Sequence, residues 1–337
     1  MIVVMKSKTK QEDIDRITMK LESYGFTTYI STANNKTVIG AIGDITVLDP
    51  NSIIVDEAVE NVISISEPYK LANRVFHSED TIIDVAGVKV GGNHLALIAG
   101  PCSVESKEQV VRIALEAKAA GANMLRGGAF KPRTSPYAFQ GLGSDGLDLL
   151  LAAKEATGLP IVSELMSADY IDEFNEKVDL VQIGARNMQN FELLKEMGKV
   201  NKPILLKRGM SATVKELLMS AEYIMASGNE NVIFCERGVR TFDNYTRNCL
   251  DLSIVPYLHK ISHLPVIIDP SHACGQSWMV PTLAKAAVAS GADGLIIEVH
   301  NNPEKALCDG EQSLTPDEFN QLMNVLPKLA DIENRTM

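Results

Sequence analysis

The chain from about residue 94 onward alternates between short apolar runs and longer segments with helical periodicity. This alternation occurs eight times, and each apolar run ends at a glycine, a proline or a charged residue. The predicted strands are 94–100, 123–128, 160–165, 179–184, 203–207, 231–236, 265–269 and 294–299. Eight βα units of nearly equal length favour an α/β fold in which a parallel sheet closes into a (β/α)₈ TIM barrel.

Residues 1–66 follow a different pattern, in the order βαββαβ. The predicted elements are a strand at 2–5, a helix at 11–24, strands at 27–31 and 36–40 around Asn34-Asn35, a helix at 51–61 and a strand at 62–66. The first helix is predicted to turn one apolar face towards a small antiparallel sheet, and that face carries Ile14, Ile17, Leu21 and Tyr24. This order predicts a separate ferredoxin-like domain.

Residues 67–93 link the two patterns and are predicted to form a connector followed by a hairpin. The hairpin strands, near 81–85 and 88–90, flank Ala86-Gly87, and we expect them to close the floor of the barrel. The predicted organisation is therefore a ferredoxin-like domain over 1–66, a connector and floor hairpin over 67–93, and a barrel over 94–337.

Composition narrows the class of partner. The formal net charge of −11 argues against nucleic acid or an anionic membrane as the main partner, because both would repel the average field of the chain. The apolar run at the N-terminus is too short for a signal peptide, and no later window approaches the length of a membrane span. A cytoplasmic location is the expectation. The five cysteines contain no CxxC pair, so neither a disulfide framework nor a zinc ribbon is indicated.

Four residues with metal-binding side chains follow three strands that become neighbours when the barrel closes. His272 follows the seventh strand, Glu298 ends the eighth, Cys102 follows the first, and Asp309 lies in the loop after the eighth. Active sites of such barrels lie at the carboxyl ends of the strands. One thiolate, one imidazole and two carboxylates are a mixed donor set that would accept Mn²⁺, Fe²⁺, Co²⁺ or Zn²⁺ with little selectivity.

Cationic residues follow the second, fourth, fifth and sixth strands. They are Arg126, Lys131, Arg133, Arg186, Lys207 and Arg237. In an acidic protein, six cations at one barrel mouth would repel each other unless they met anions, and two phosphates with a carboxylate would satisfy them. Thr134 and Ser135 add hydroxyl donors of the kind that phosphate sites use. Arg208 should point the opposite way along its strand, so we predict it to be a surface or interface residue.

At these residues the sequence resembles the 3-deoxy-D-arabino-heptulosonate 7-phosphate (DAHP) synthases with a short barrel and an N-terminal ferredoxin-like regulatory domain. The resemblance covers essentially the whole chain. The segments that carry it are Ala99 to Ser106, Leu125 to Ser135, Gln182 to Asn187, Leu206 to Gly209, Cys235 to Gly238, Asp269 to Ala273, Glu298 to His300 and Asp309-Gly310. The most specific segment is the run Lys-Pro-Arg-Thr-Ser from Lys131 to Ser135.

The resemblance implies a transferase that condenses phosphoenolpyruvate with D-erythrose 4-phosphate and water, releases phosphate and opens the shikimate pathway. It identifies Cys102, His272, Glu298 and Asp309 as ligands of a divalent metal. A phosphoenolpyruvate clamp would consist of Arg126, Lys131, Arg186, Lys207 and Arg237. Contacts to the aldose phosphate would come from Arg133, Thr134 and Ser135. Cys274-Gly275-Gln276 departs from the more basic residues often found after the His-Ala pair, so that loop is assigned no role.

Catalytic roles follow from the same resemblance. The metal, held by Cys102 and His272 among others, would polarise the aldehyde oxygen, and Lys131 is the best-placed candidate proton donor between the two substrates. Glu164, Asp269 and His300 are expected to orient waters or ligands, with simple polar packing as the equal alternative.

A regulatory role is the natural hypothesis for residues 1–66, because this domain is separate from every strand-end residue. A tethered domain can cover a barrel mouth or move aside, and a ligand that prefers one arrangement would shift the balance. The resemblance makes phenylalanine or tyrosine the leading effector, with a chorismate-pathway product as the alternative. A domain that only supplies an oligomer interface is the competing explanation, and a homotetramer is the favoured assembly.

Three other functions stay open on the sequence alone. The sister condensation with arabinose 5-phosphate uses the same barrel and the same enol donor, although the Lys-Pro-Arg-Thr-Ser run and the N-terminal domain favour the four-carbon aldose. A Schiff-base aldolase would use Lys207 or Lys131 as nucleophile and would survive chelation. A sensor of phosphorylated ligands would bind them without turnover.

Overall fold

A computed structural model describes residues 1–33, 36–44, 47–63, 67–133 and 135–337 of the chain. The chain divides into two compact units. The smaller comprises Met1–Asp80 with Lys260–His263, and the larger comprises Thr81–His259 with Leu264–Met337.

The smaller unit contains a four-stranded antiparallel sheet with two helices. Its elements are β1 (Ile2–Met5), α1 (Gln11–Ser23), β2 (Thr27–Ala33), β3 (Lys36–Ile42), α2 (Asn51–Ile54) and β4 (Val59–Ile63). The strand order β2-β3-β1-β4 places β1 between two antiparallel partners, as a ferredoxin-like fold requires. Ile14, Ile17 and Leu21 of α1 are buried in a core with Val3 and Ile39 of the sheet. The predicted ferredoxin-like fold is confirmed.

Three details of this unit differ from the sequence prediction. Tyr24 is 46% exposed and follows the end of α1, so it does not belong to the buried helix face. The second helix stops at Ile54, because the chain turns at Asp56, whose carboxylate accepts a hydrogen bond from Ala58 N. The last strand consequently begins at Val59, where it pairs with Met5, and the predicted residues 64–66 lie outside the described ranges.

The larger unit contains the eight parallel strands of a closed barrel. They are β7 (Ala96–Gly100), β8 (Met124–Arg126), β9 (Ile161–Glu164), β10 (Leu180–Ile183), β11 (Ile204–Lys207), β12 (Val232–Glu236), β13 (Val266–Ile268) and β14 (Gly294–Glu298). Each strand pairs with the next, and β14 pairs with β7 to close the ring. All eight predicted strands are present, and the predicted (β/α)₈ barrel is confirmed.

Helices accompany the strands of this unit. They are α3 (Lys107–Ala120), α4 (Ser144–Thr157), α5 (Ile171–Lys177), α6 (Phe191–Met197), α7 (Val214–Ala226), α8 (Ile254–Ile261), α9 (Pro270–Cys274), α10 (Val280–Ala289), α11 (Pro316–Met323) and α12 (Leu326–Ile332). Thr213 and Thr315 form capping boxes at the starts of α7 and α11. Within the described residues, no helix is long and apolar enough to cross a membrane.

A short hairpin packs against the interior of the barrel. Its strands, β5 (Ile83–Val85) and β6 (Val88–Val90), are joined by Ala86-Gly87, and both turn residues have positive φ. Ile83, Val85 and Val90 share one buried cluster with Ala96 and Met124 of the barrel strands. Because the interior is filled from this side by apolar side chains, polar chemistry is confined to the opposite, carboxyl end of the strands.

Candidate active site

Four residues converge at the carboxyl end of the barrel with the geometry of a metal-binding group. One ligand atom each from Cys102, His272, Glu298 and Asp309 can be chosen so that all four lie within 4.8 Å of one another. The residues come from the ends of β7, β13 and β14 and from the loop after β14. The closed barrel therefore brings together the four side chains that the sequence analysis selected.

The His272 ring is oriented by its neighbour Asp269. His272 Nδ1 lies 2.7 Å from Asp269 Oδ2, and His272 Nε2 lies 3.4 Å from Glu298 Oε1. Burial lowers the pKa of His272, which favours the neutral imidazole. When the Nδ1–H group donates a hydrogen bond to Asp269, the unprotonated Nε2 faces the cluster, as a metal ligand requires.

Cys102 and Glu298 are buried acidic side chains whose anionic forms a bound cation would stabilise. Hydrogen bonding to Cys308, burial and the Glu298 charge raise the pKa of Cys102 well above its usual value, so a further positive charge is needed to stabilise the thiolate. Glu298 is fully buried, and its Oε1 lies 3.2 Å from Arg126 Nη1 and 3.4 Å from His272 Nε2 but accepts no hydrogen bond from the described residues. Gln312 Nε2 donates to Glu298 Oε2 over 2.6 Å and leaves Oε1 directed at the cluster. The four residues thus fit a divalent cation.

Asp309 reaches the cluster from a strained position. Its φ of 51° lies in the left-handed region that few residues other than glycine adopt. Asp309 Oδ2 lies 3.3 Å from Cys102 Sγ and 3.6 Å from an Arg247 nitrogen. Backbone strain of this kind persists only where surrounding contacts impose it, and it is often found at functional sites.

A glycine at the end of β7 lets the chain approach β8 closely enough to place Cys102. Gly100 has a φ of 154°, and a Cβ atom on it would lie 2.1 Å from Arg126 O. A side chain at this position would therefore push apart the two strands that carry Cys102 and Arg126.

A cavity of about 390 Å³ opens beside the cluster, and eight of its eighteen lining residues are lysine or arginine. All six predicted strand-end cations line it, namely Arg126, Lys131, Arg133, Arg186, Lys207 and Arg237. His272, Cys308 and Asp309 line the same space, so the six cations and part of the Cys102, His272, Glu298 and Asp309 cluster share one cavity.

Several of these cations are buried and only partly satisfied. Arg126 and Arg237 are each 5% exposed. Nη1 of Arg237 has no hydrogen-bond partner among the described residues, whereas Nη1 of Arg126 is ion-paired with Glu298 Oε1 over 3.2 Å. Burial lowers the pKa of Arg237. Lys207 forms a buried ion pair with Asp269. Since a buried charge without a partner is costly, the cavity favours anionic ligands.

Lys131 lies between the metal cluster and the cation-lined space. Its Nζ lies 3.0 Å from Cys102 Sγ and 3.0 Å from Cys102 O. Burial alone would lower the pKa of Lys131, but the neighbouring Cys102 and Cys308 raise it above its usual value. Lys131 is therefore a cation that holds a proton at this boundary.

Two further arginines were missed in the sequence analysis. Arg240 and Arg247 lie in the long loop between β12 and α8, and both line the cavity. Arg247 also donates to Gln312 Oε1 over 3.0 Å. The length of the loop after Glu236-Arg237 could have indicated these two arginines, because long loops at this end of a barrel often carry functional residues.

Arg208 was predicted as a surface or interface residue, and this prediction is wrong. Arg208 does not line the cavity, but it is only 7% exposed. Its guanidinium lies 3.0 Å from carboxylate oxygens of both Glu236 and Asp251. Strand alternation correctly predicts that the Arg208 side chain points away from the cavity. Its burial is tolerated because two carboxylates from neighbouring segments pair with it.

The remaining predicted residues have mixed surroundings. Glu164 lines the cavity, and its Oε1 is buried without a hydrogen-bond partner among the described residues. His300 Nε2 lies 3.2 Å from Gln109 Nε2, away from the cavity lining. Ser135 is exposed and its Oγ accepts from Tyr137 N, while Thr134 lies outside the described residues.

Comparison with known proteins gives family matches along almost the whole chain. Residues 1–67 match the DAHP synthase ferredoxin-like domain, and residues 72–334 match the DAHP synthetase I family. A phospho-2-dehydro-3-deoxyheptonate aldolase of Thermotoga maritima is 49% identical over 331 residues, which cover 98% of each chain. A 2-dehydro-3-deoxyphosphooctonate aldolase of Geobacter sulfurreducens is 33% identical over 72% of this chain and 96% of that protein.

Solved structures agree with these matches. The crystal structure of the Thermotoga maritima DAHP synthase has a TM-score of 0.79 and 48% identity, and covers 99% of this chain and 98% of that one. A truncated form of the Thermotoga maritima enzyme has a TM-score of 0.74 and 47% identity, and covers 80% of this chain and 98% of that one. The chain belongs to the DAHP synthetase I family of enzymes.

Proposed function

We propose that this chain condenses phosphoenolpyruvate with D-erythrose 4-phosphate and water to give DAHP and phosphate, the first step of the shikimate pathway, and that it needs a divalent metal. The observation that carries the proposal is one cavity in which several buried cations adjoin the Cys102, His272, Glu298 and Asp309 cluster. The Thermotoga maritima relative with this activity in its name matches along the whole chain.

The cations divide between the two substrates in this proposal. Arg126, Lys131, Arg186, Lys207 and Arg237 hold the carboxylate and phosphate of phosphoenolpyruvate, and Arg133 with Thr134 and Ser135 binds the aldose phosphate. Placing charged donors around both anions neutralises substrates that would otherwise repel each other. Lys207 is ion-paired with the buried Asp269 carboxylate, so this part of the clamp is positioned before substrate arrives.

The chemistry forms a carbon–carbon bond and then breaks a carbon–oxygen bond. The methylene carbon of phosphoenolpyruvate attacks the aldehyde carbon, water adds to the enol ether carbon, and phosphate leaves. A divalent cation held by Cys102, His272, Glu298 and Asp309 would supply Lewis acidity at the aldehyde oxygen. Lys131 donates a proton to the developing alkoxide, and Glu164, whose buried Oε1 accepts no hydrogen bond from the described residues, orients the water.

The alternatives to this reaction are less consistent with the site. A Schiff-base lysine must be neutral to attack a carbonyl, yet Lys207 is ion-paired with Asp269 and the pKa of Lys131 is raised. Condensation with arabinose 5-phosphate is suggested by the Geobacter sulfurreducens relative, but that protein matches 72% of this chain. The match of residues 1–67 to the DAHP synthase ferredoxin-like domain favours the four-carbon aldose.

An assay of phosphate release tests the proposed reaction directly. With phosphoenolpyruvate and Mn²⁺ present, we expect release with erythrose 4-phosphate and little with arabinose 5-phosphate. Mass spectrometry would identify the seven-carbon product. A preference for the five-carbon aldose would replace the proposed reaction with its sister. Inactivation by borohydride in the presence of substrate would indicate a Schiff base.

The division of labour among the arginines predicts opposite effects on the two Michaelis constants. Losing a charge-assisted phosphate contact costs roughly 1.5 to 3 kcal/mol, or about 10- to 100-fold in affinity. Arg133→Ala should raise the KM for the aldose phosphate far more than that for phosphoenolpyruvate, and Arg186→Ala should do the reverse. Equal impairment of both constants in each variant would contradict the assignment.

Residues 1–66 are proposed to regulate the barrel in response to phenylalanine or tyrosine, within a homotetramer. We expect one of these amino acids to inhibit the full chain, and we expect a chain that begins at Leu71 to turn over without responding. Leu71 is a suitable start, because Leu71 O lies 2.7 Å from His263 Nε2 and this contact would be kept. The truncated Thermotoga maritima structure supports the choice.

Inhibition assays on both forms, with prephenate as a third effector, measure this response, and sedimentation gives the assembly state. Full inhibition of the truncated chain would place the effector site in the barrel. If the full chain responds to no effector and the truncated chain dissociates, residues 1–66 would have a role in assembly only.

A further inference from the structure

A second thiol adjoins the metal cluster and has no part in the reaction proposed above. Cys308 immediately precedes Asp309 in the loop after β14, and it is only 4% exposed. Its Sγ lies 3.6 Å from Cys102 Sγ, although the two residues are 206 positions apart in the sequence. The pairing is therefore a product of barrel closure.

The separation of the two sulfurs matches the spacing of two thiolates on one metal ion. In a five-coordinate centre, zinc–sulfur bonds of about 2.3 Å at angles of roughly 90° to 120° place two sulfurs about 3.3 to 4.0 Å apart. Two thiols in ordinary van der Waals contact would have a similar separation, so the distance is informative only with the surroundings of the pair.

Those surroundings point to a cation. The Glu298 side chain is fully buried beside the pair, and its Oε1 is ion-paired with Arg126 Nη1 over 3.2 Å but accepts no hydrogen bond from the described residues. Each sulfur also faces a positive group, because Lys131 Nζ donates to Cys102 Sγ and Arg133 donates to Cys308 Sγ. Nearby cations lower the cost of holding two thiolates in a buried site.

We propose that Cys308 is a second sulfur donor of the metal centre and biases it towards thiophilic ions such as Zn²⁺ and Cd²⁺. Harder ions such as Mn²⁺ gain little from a second thiolate and use Cys102, His272, Glu298 and Asp309 alone. Cys308 is thus a residue that determines metal selectivity. The inference rests on the metal centre proposed above, and the experiment separates the two.

The test measures metal binding without substrates. Competition with a chromogenic chelator, under a phosphine reductant, would give the affinities of full-length wild type, Cys308→Ser and Cys308→Ala for Mn²⁺ and Cd²⁺. We expect both substitutions to weaken Cd²⁺ binding on the order of tenfold or more and to change Mn²⁺ binding by less than about threefold. Thiolate-to-cadmium absorption per bound ion should fall by about half, from two sulfurs to one.

Cys274→Ser is the matched control. Cys274 is also buried and follows His272 closely, but its Sγ lies 3.1 Å from Pro270 O and does not line the cavity. This substitution should leave both affinities and the absorption unchanged. Circular dichroism would verify that every variant is folded.

Two outcomes overturn different statements. If both Cys308 variants keep the wild-type ratio of Cd²⁺ to Mn²⁺ affinity and the full absorption, Cys308 is not a ligand and the inference is wrong. If Cys102→Ser leaves the affinity for every ion unchanged, the metal centre itself is misplaced and the proposed function loses its metal dependence.

Discussion

Removing the metal is expected to abolish turnover, and several first-row divalent ions should restore it. Lewis-acid stabilisation contributes several kcal/mol to a transition state, so its loss should lower kcat by about 10³-fold or more. The mixed donors of Cys102, His272, Glu298 and Asp309 accept ions of differing softness, and we therefore expect Mn²⁺, Fe²⁺, Co²⁺ and Zn²⁺ all to restore activity.

The measurement is phosphate release after chelation and desalting, followed by titration with each ion. Cys102→Ala should stay inactive at ion concentrations that restore the wild type. A metal-stripped Cys102→Ala protein with full activity would rule out this metal centre. Loss of Mn²⁺-supported turnover in Cys308→Ala but not in Cys102→Ala would show that the essential thiol had been chosen wrongly.

Replacing Lys131 should cause the second large loss. A positioned proton donor contributes about 10²- to 10⁴-fold to a rate, and Lys131 lies 3.0 Å from Cys102 Sγ at the boundary of the metal cluster. Lys131→Met should therefore reduce kcat by about 10²-fold or more. Lys131→Arg keeps the positive charge but holds its proton too tightly to donate it, so the rate should recover little.

Binding of phosphoenolpyruvate, measured by calorimetry, separates the two parts of this role. If Lys131→Arg restores affinity without restoring kcat, Lys131 acts in proton transfer as well as in binding. Recovery of both quantities in Lys131→Arg would reduce Lys131 to a binding residue. Lys177→Met is a suitable control, because this lysine pairs with Asp148 and Glu173 outside the cavity lining.

Much of the architecture follows from local sequence patterns. The eight apolar runs predict the barrel strands because a parallel strand covered on both faces must be apolar throughout. Barrel closure then places every strand end at one mouth, so Cys102, Arg126 and Glu298 could be grouped before any coordinates were known. The predicted helix over 51–61 is wrong at its end for the opposite reason, because Val59 pairs with Met5 from a distant part of the chain.

Other features depend on contacts between distant parts of the chain. The strand pattern predicts that Arg208, directly after β11, points away from the cavity, but only the folded chain brings Glu236 and Asp251 close enough to bury it. Loop conformation, which depends on such contacts, placed Arg247 in the cavity. Sequence periodicity predicts which residues share a face of one helix or strand, but it does not predict contacts with residues on other elements. The 3.6 Å approach of Cys102 and Cys308 was therefore decided by the tertiary structure alone.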